Sequence, residues 1–182
     1  MKPITFITGN LHKLKQVQTY LTYPMEHIKL DLTEIQSTDP LEVARHKAEE
    51  AYKQLGKPVL VEDTSLTFHA LGKLPGTFIK HFLDEIGNEK MCRMLDPFDD
   101  RSATAWIIFT YHDGENIHIF DWKQPGRITK NPRGEGFGWN PIFMPEGYDQ
   151  TFAEMNEPTI KEIAMRRRAL EKFEVYLQQH ES

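Results

Sequence analysis

Apolar and polar positions change period several times along this chain, and each change marks an element. Ile4-Thr5-Phe6-Ile7 is short, apolar and rich in β-branched residues, which predicts a strand. Thr8-Gly9-Asn10 follows at once. Leu11, Leu14, Val17 and Leu21 then recur at roughly helical spacing, with Lys13 and Lys15 among the polar positions between them, and predict a helix. His27 to Leu32 reads as another short strand. Leu41, Ala44, Ala48, Ala51 and Leu55 form a second helical stripe that Gly56 and Pro58 bring to an end. Val59-Leu60-Val61 is apolar at consecutive positions, as in a strand covered on both faces, and it runs straight into Glu62-Asp63-Thr64-Ser65.

The second half is richer in β pattern. A further β pair follows Asp63, and the loop from Leu71 to Gly76 opens a helix over Phe78 to Ile86. Ala103 to Tyr111 is the longest β-rich run, and Asp113-Gly114 turns it back into Ile117 to Trp122 as a hairpin. Pro141-Ile142-Phe143 predicts one more short strand, and a charged helix from about Ile160 to Gln178 closes the chain. This order predicts an α/β fold over residues 1–182, a single domain with a mixed sheet, flanking helices and a cleft between two lobes.

Two places in this pattern carry chemistry. A strand whose apolar run stops at Glu62-Asp63 puts two carboxylates where open α/β sheets bind ligands, at the strand's carboxyl end. Carboxylate oxygens there can seat Mg²⁺, which keeps some of its waters for a phosphate substrate. An acidic turn is the plain alternative. The strand–turn–helix around Thr8-Gly9-Asn10 is the geometry in which backbone N–H groups face an anion. Gly9 permits a tight or left-handed turn, Asn10 can cap the helix, and Lys13 lies one turn in, within reach of a phosphate. Without the long glycine loop and Lys-Ser/Thr ending, this is not a Walker loop.

Other residues stay open on the sequence alone. Glu34 can supply a further metal carboxylate or be a solvated loop acid. Lys47 and Lys80, each on a predicted helix, can clamp phosphates or be ordinary surface lysines. In Pro132 to Pro141, three glycines let the backbone approach something closely, and Phe137 and Trp139 offer faces for stacking a base or filling a core. Arg166-Arg167-Arg168 is a solvated helix face or a source of one inward arginine.

Composition narrows the class. At 182 residues, with 39% hydrophobic and 27% charged residues, the chain can bury the core of one globular domain. A net charge of -5 argues against general nucleic-acid binding. The single cysteine, Cys92, excludes an internal disulfide framework and suits a reducing compartment. No run has the length of a membrane helix and no leader pattern precedes Ile4, so a soluble, cytoplasmic protein is expected. No HExxH spacing and no nucleophile–His arrangement appears among the eight histidines.

Taken in order, Thr8-Gly9-Asn10 with Lys13, Val61-Glu62-Asp63-Thr64, Leu74-Pro75-Gly76, Phe137-Gly138-Trp139 with Pro141, and Arg166 with Ala169-Leu170 resemble the inosine triphosphate pyrophosphatase family from end to end. The resemblance implies an elongated two-lobed α/β fold, a homodimer, and Mg²⁺-dependent hydrolysis of non-standard purine triphosphates (ITP, dITP, XTP) to monophosphate and pyrophosphate. By position it makes Thr8, Gly9, Asn10 and Lys13 the phosphate turn and Glu34 and Asp63 the metal carboxylates, with Glu62 beside them as part of the catalytic pair. Asp63 is also the implied proton acceptor for the attacking water. Thr64, Lys47 and Lys80 belong to the nucleotide site, with the lysines neutralising the triphosphate. Phe137 stacks on the base, Gly138, Trp139 and Asn140 complete that loop, and Arg166 contacts the base edge.

The base pocket departs from the family pattern. Asn140 replaces the usual Asp, and Ala164-Met165-Arg166 replaces Ser-His-Arg. Ile160 aligns with a lysine for which Lys161 can substitute, and Trp122 stands where glycine is common. Asp accepts only, whereas Asn donates and accepts, so these changes predict a retuned base preference. They also leave a second reading, a slow or inactive nucleotide sensor on the same fold that acts with a partner protein, for example in antiviral defence.

Overall fold

The computed structural model describes residues 3–180. Its elements are β1 (Ile4–Ile7), α1 (Leu11–Tyr20), β2 (Met25–Ile28), α2 (Pro40–Leu55), β3 (Val59–Phe68), β4 (Pro75–Gly76), α3 (Ile79–Arg93), β5 (Ser102–His112), β6 (Ile117–Ile128), β7 (Phe143–Pro145), α4 (Glu157–Ile163) and α5 (Met165–His180). The strands form one open sheet of seven in the order β2-β1-β3-β5-β6-β7, with β4 paired to β3. It is mixed: β1 runs parallel to β2 and β3, whereas β4 is antiparallel to β3 and β7 to β6. This is the expected α/β class.

The chain divides into two compact units, and neither is a contiguous segment. The first comprises Met1–Asp63, Ile107–Trp122 and Ala164–Ser182, and the second Thr64–Trp106 and Lys123–Ile163. In the first, α2 lays Ala48 and Ala51 on Ile7, Val59 and Val61 of the parallel strands. Alanines on the helix let it lie close to the β-branched surface, and Ile28, Leu30, Leu32, Tyr52 and Leu55 pack around that cluster. Asp39 caps α2 by accepting from the Leu41 N–H, and Gly56 ends it in the left-handed conformation, as the sequence pattern requires. In the second unit, the buried Arg101 guanidinium donates to the carbonyls of Cys92, Ile128 and Thr129, joining three segments. Cys92 itself is buried.

Several boundaries differ from the sequence expectation. The second strand is Met25–Ile28 rather than His27 to Leu32, because Leu30 and Leu32 are apolar for packing and not for pairing. β3 does not stop at the carboxylates but runs through Glu62 and Asp63 to Phe68. What stops is its parallel partner: β1 pairs Phe6 with Leu60 and Ile7 with Val61 and then turns away. α3 passes Ile86 through a non-helical Gly87 (φ 70, ψ 172) to Arg93. β6 extends to Ile128, the last short strand lies at Phe143–Pro145, and the final helix is broken in two at Ala164.

Candidate active site

In the first unit the turn after β1 is built by its own side chains. Thr8 Oγ1 accepts from the Asn10 N–H at 3.1 Å, and Asn10 Oδ1 caps α1 by accepting from the amides of His12 (2.9 Å) and Lys13 (3.2 Å). Two of the first helical amides are thus satisfied within the chain. Gly9 does not adopt a left-handed conformation, and a Cβ there would meet only Lys29 side-chain atoms at ordinary contact distance. The expected use of glycine flexibility at Gly9 is therefore not what the turn requires.

Lys13 reaches across to β3. Its Nζ lies 3.0 Å from Glu62 Oε1, and Arg166 from α5 grips the same carboxylate with two bonds of 2.8 Å, Nε to Oε2 and Nη2 to Oε1. Arg166 Nη1 donates to Gln16 Oε1 of α1 at 2.6 Å. Glu62 is fully buried. Burial opposes its ionisation and pushes the carboxyl up, but the Arg166 guanidinium and the Lys13 ammonium outweigh it and hold the group at about 2. A buried carboxylate is stable only with such matched geometry. So held, Glu62 is a poor proton acceptor and acts as the anchor that positions Lys13 and Arg166. Gln16 carries no motif of its own in the sequence; its one signal there is the helical spacing of Asn10, Lys13 and Gln16 along one face.

Asp63 has the opposite environment. Its Oδ1 accepts from Lys47 Nζ at 2.8 Å, and the same ammonium donates to Glu34 Oε1 at 3.2 Å. Lys47 thereby joins the two carboxylates that the family resemblance pairs as metal ligands. Burial alone would lower the Lys47 ammonium, but Asp63 and Glu34 push it up to about 12, so it is a fixed positive charge. Asp63 Oδ2 is buried and has no hydrogen-bond partner among the described residues. A buried carboxylate oxygen without a donor is costly unless something binds it.

The remaining sequence candidates lie in the second unit. Thr64 follows Asp63 on β3 and is half-buried. Lys80 is exposed on α3 and pairs with Asp84 at 3.1 Å. In the glycine-rich loop the close approach is to the chain itself. A Cβ on Gly134 would fall 2.8 Å from the Ala153 carbonyl group, and one on Gly136 would fall 3.0 Å from the Ala153 Cβ. The two aromatics separate. Trp139 packs edge-on to Phe143 (5.5 Å between centroids) and near Phe152, whereas Phe137 is 51% exposed. Asn140 is half-buried, its amide bonded to the Phe137 carbonyl at 3.2 Å.

The residues that depart from the family pattern are structurally ordinary here. Met165 is buried at the start of α5, Lys161 pairs with Glu157 on α4 at 2.6 Å, and Trp122 lies under Arg168 and Lys172.

Comparison with known proteins gives the family. The family model described as the Ham1 family matches residues 4–176. This chain belongs to the Ham1 family. Among Ham1 relatives, a protein of Yarrowia lipolytica named inosine triphosphate pyrophosphatase is 48% identical over 180 residues, covering 96% of this chain and 95% of that one. Inosine triphosphate pyrophosphatase 2 of Trypanosoma cruzi is 44% identical over 172 residues, covering 92% and 88%. The solved Ham1 proteins of Staphylococcus aureus and Coxiella burnetii superpose with TM-scores of 0.84 and 0.86 at 26% and 28% identity. Each covers 98% of this chain, and 99% and 100% of its own.

A divalent cation fits the Ham1 site on chemical grounds. No group of three or more His, Cys, Asp or Glu side chains among the described residues is arranged to cage a metal. Mg²⁺ seldom uses such a cage; one or two carboxylates, waters and substrate phosphates are its usual shell. Glu34 and Asp63, joined through one ammonium with Asp63 Oδ2 unpartnered, supply that kind of donor set. Among the described residues no helix is long and apolar enough to cross a membrane.

Proposed function

We propose that this chain hydrolyses non-standard purine nucleoside triphosphates of the ITP, dITP and XTP type to the monophosphate and pyrophosphate, with a base preference of its own. The observation that carries the reading is Asp63 itself. One oxygen is fixed by Lys47 and the other is buried and unpartnered, in a chain 48% identical to a protein named inosine triphosphate pyrophosphatase.

In this reading Asp63 Oδ2 accepts the proton of the attacking water. The water oxygen bonds to the α-phosphorus as the bond from that phosphorus to the bridging oxygen breaks, and pyrophosphate leaves with the electron pair. Lys47, held charged at about 12, keeps Asp63 Oδ1 in place and offsets phosphate charge. Lys13 and the Thr8–Asn10 turn bind phosphate oxygens, with Lys80 and Thr64 assigned to the same nucleotide. Glu34 and Asp63 would hold Mg²⁺, which when bound polarises the phosphate and lowers the pKa of a bound water.

Phe137, 51% exposed, supplies a face for the base. Arg166 is assigned to the base edge, and Glu62 sets its orientation. Asn140, Ile160, Ala164 and Met165 remove groups that family members use around the base, which supports a shifted preference. A homodimer rests on the family resemblance, and a cytoplasmic location on the reducing compartment that a single cysteine, Cys92, suits. No observation favours the sensor reading.

The test is pyrophosphate release with Mg²⁺ from ITP, dITP, XTP, ATP and GTP by the wild type and Asp63→Asn. Release from at least one triphosphate, reduced about 10²- to 10⁴-fold in the variant at unchanged melting temperature, is expected. Undiminished release by Asp63→Asn would remove Asp63 from the mechanism, and no release from any triphosphate would remove the activity.

A further inference from the structure

We propose that Asn88 is a positioning residue for the base-stacking loop and fixes the presentation of Phe137 through the carbonyl of Gly138. The proposal rests on the reading of Phe137 as the stacking face. Asn88 follows Gly87, whose φ of 70 and ψ of 172 interrupt α3, so the side chain starts from a break in the helix rather than from its regular face. Asn88 Nδ2 donates to the Gly138 carbonyl at 2.9 Å, across 50 residues of sequence. The other end of the same amide, Oδ1, is buried with no hydrogen-bond partner among the described residues. An Asn kept half-satisfied in a partly buried place is poorly explained by packing, since an apolar residue of the same shape would leave no unpaired acceptor. The bond to Gly138 explains it.

Gly138 is the joint of the loop. It has φ +62 and lies between Phe137, which is 51% exposed, and Trp139, which is anchored edge-on against Phe143. The loop's own turns use the carbonyls of Phe137 (from Asn140 N) and Trp139 (from Ile142 N). The Gly138 carbonyl is taken by Asn88. On the far flank Gly134 and Gly136 press against Ala153. Asn88 holds the Gly138–Trp139 peptide, one residue beyond the ring, and so fixes the backbone from which Phe137 is presented. Fixing that peptide in advance lowers the ordering cost of binding, and the benefit appears in KM rather than in kcat.

The experiment measures kinetics with the preferred triphosphate for wild type, Asn88→Asp, Asn88→Ala, Phe137→Ala and the Asn88→Asp/Phe137→Ala double variant. Amide hydrogen exchange over residues 132–142 is measured in parallel. Asn88→Asp keeps the shape and sets an acceptor against the carbonyl, which keeps the test valid if Asn88→Ala folds poorly. About a tenfold rise in KM for every accepted base, with kcat within about twofold, is expected. That rise should vanish in the Phe137→Ala background, and exchange at Asn140 and Ile142 should quicken while that of α3 is unchanged. Unchanged exchange in the loop overturns the proposal, as does a KM effect that simply adds to that of Phe137→Ala. If Phe137→Ala leaves KM unaltered, the stacking reading fails instead, and faster loop exchange in Asn88→Asp would still identify Asn88 as the clamp.

Discussion

Glu62 and Asp63 are neighbours with opposite fates, and the reason is the strand that carries them. Successive side chains of a strand point to opposite faces, and β3 continues through both residues. Glu62 is driven inward, where Arg166 and Lys13 neutralise it, while Asp63 keeps 16% of its side chain exposed beside Lys47. The two should therefore respond differently to loss of charge. Asp63→Asn removes turnover and leaves the fold, whereas Glu62→Gln leaves two cations without their buried partner and should cost about 3 kcal/mol in urea denaturation. The acid response follows from the same pair. The Glu62 carboxyl stands at about 2 against an ordinary value of 4.5, so its contribution is fully present above pH 4.5 and is lost as pH falls towards 2. Wild type should lose on the order of 3 kcal/mol over that window from this group, and Glu62→Gln should not. Equal acid sensitivity of the two proteins would show that the pair does not govern it.

Among the elements, the loop from Pro132 to Pro141 carries a signal whose object only the fold supplies. Its glycines mark a close backbone approach, and the partner of Gly134 and Gly136 is Ala153. Gly134 has φ +74 and no room for a Cβ, so Gly134→Ala is expected to destabilise by about 1–3 kcal/mol and to raise KM by displacing Phe137. A thermal melt and a substrate titration check both, and a neutral melt would mean that the 151–154 segment yields. The break at Ala164 has a comparable consequence for α5. It starts a new helix at Met165, so Arg166 lies in the first turn of α5 and meets Glu62 from there. A single helix from Ile160 onward, as the charged pattern suggested, would have no such start. Period and composition do not show where a helix restarts, because both halves carry the same kind of polar face.

Across the whole molecule, candidate residues fall in both compact units. The first holds Thr8 to Lys13, Glu34, Lys47, Glu62, Asp63 and Arg166, and the second holds Thr64, Lys80 and the 137–140 segment. Among the described residues no group of three or more His, Cys, Asp or Glu side chains is arranged to hold a metal, and the proposed cation site draws on Glu34 and Asp63 alone. Chelation with EDTA should therefore stop turnover reversibly while the melting temperature stays within about 2 °C, with Mg²⁺ restoring activity. A large drop in melting temperature would mean that a cation is structural. Local pattern in the chain encodes most of the strands and helices, the capped turn at Asn10 and the end of α2 at Gly56, because each depends on neighbours a few residues apart. It carries neither the break at Ala164 nor the run of β3 to Phe68. The order of the motifs along the chain carries the family resemblance. Which charges are already matched is a property of the fold. Glu62 finds Arg166 at a separation of 104 residues, and Lys47 takes one oxygen of Asp63 and leaves the other unpartnered. Those outcomes depend on which elements approach one another and on what burial does to each charge, and no local pattern in the chain records either.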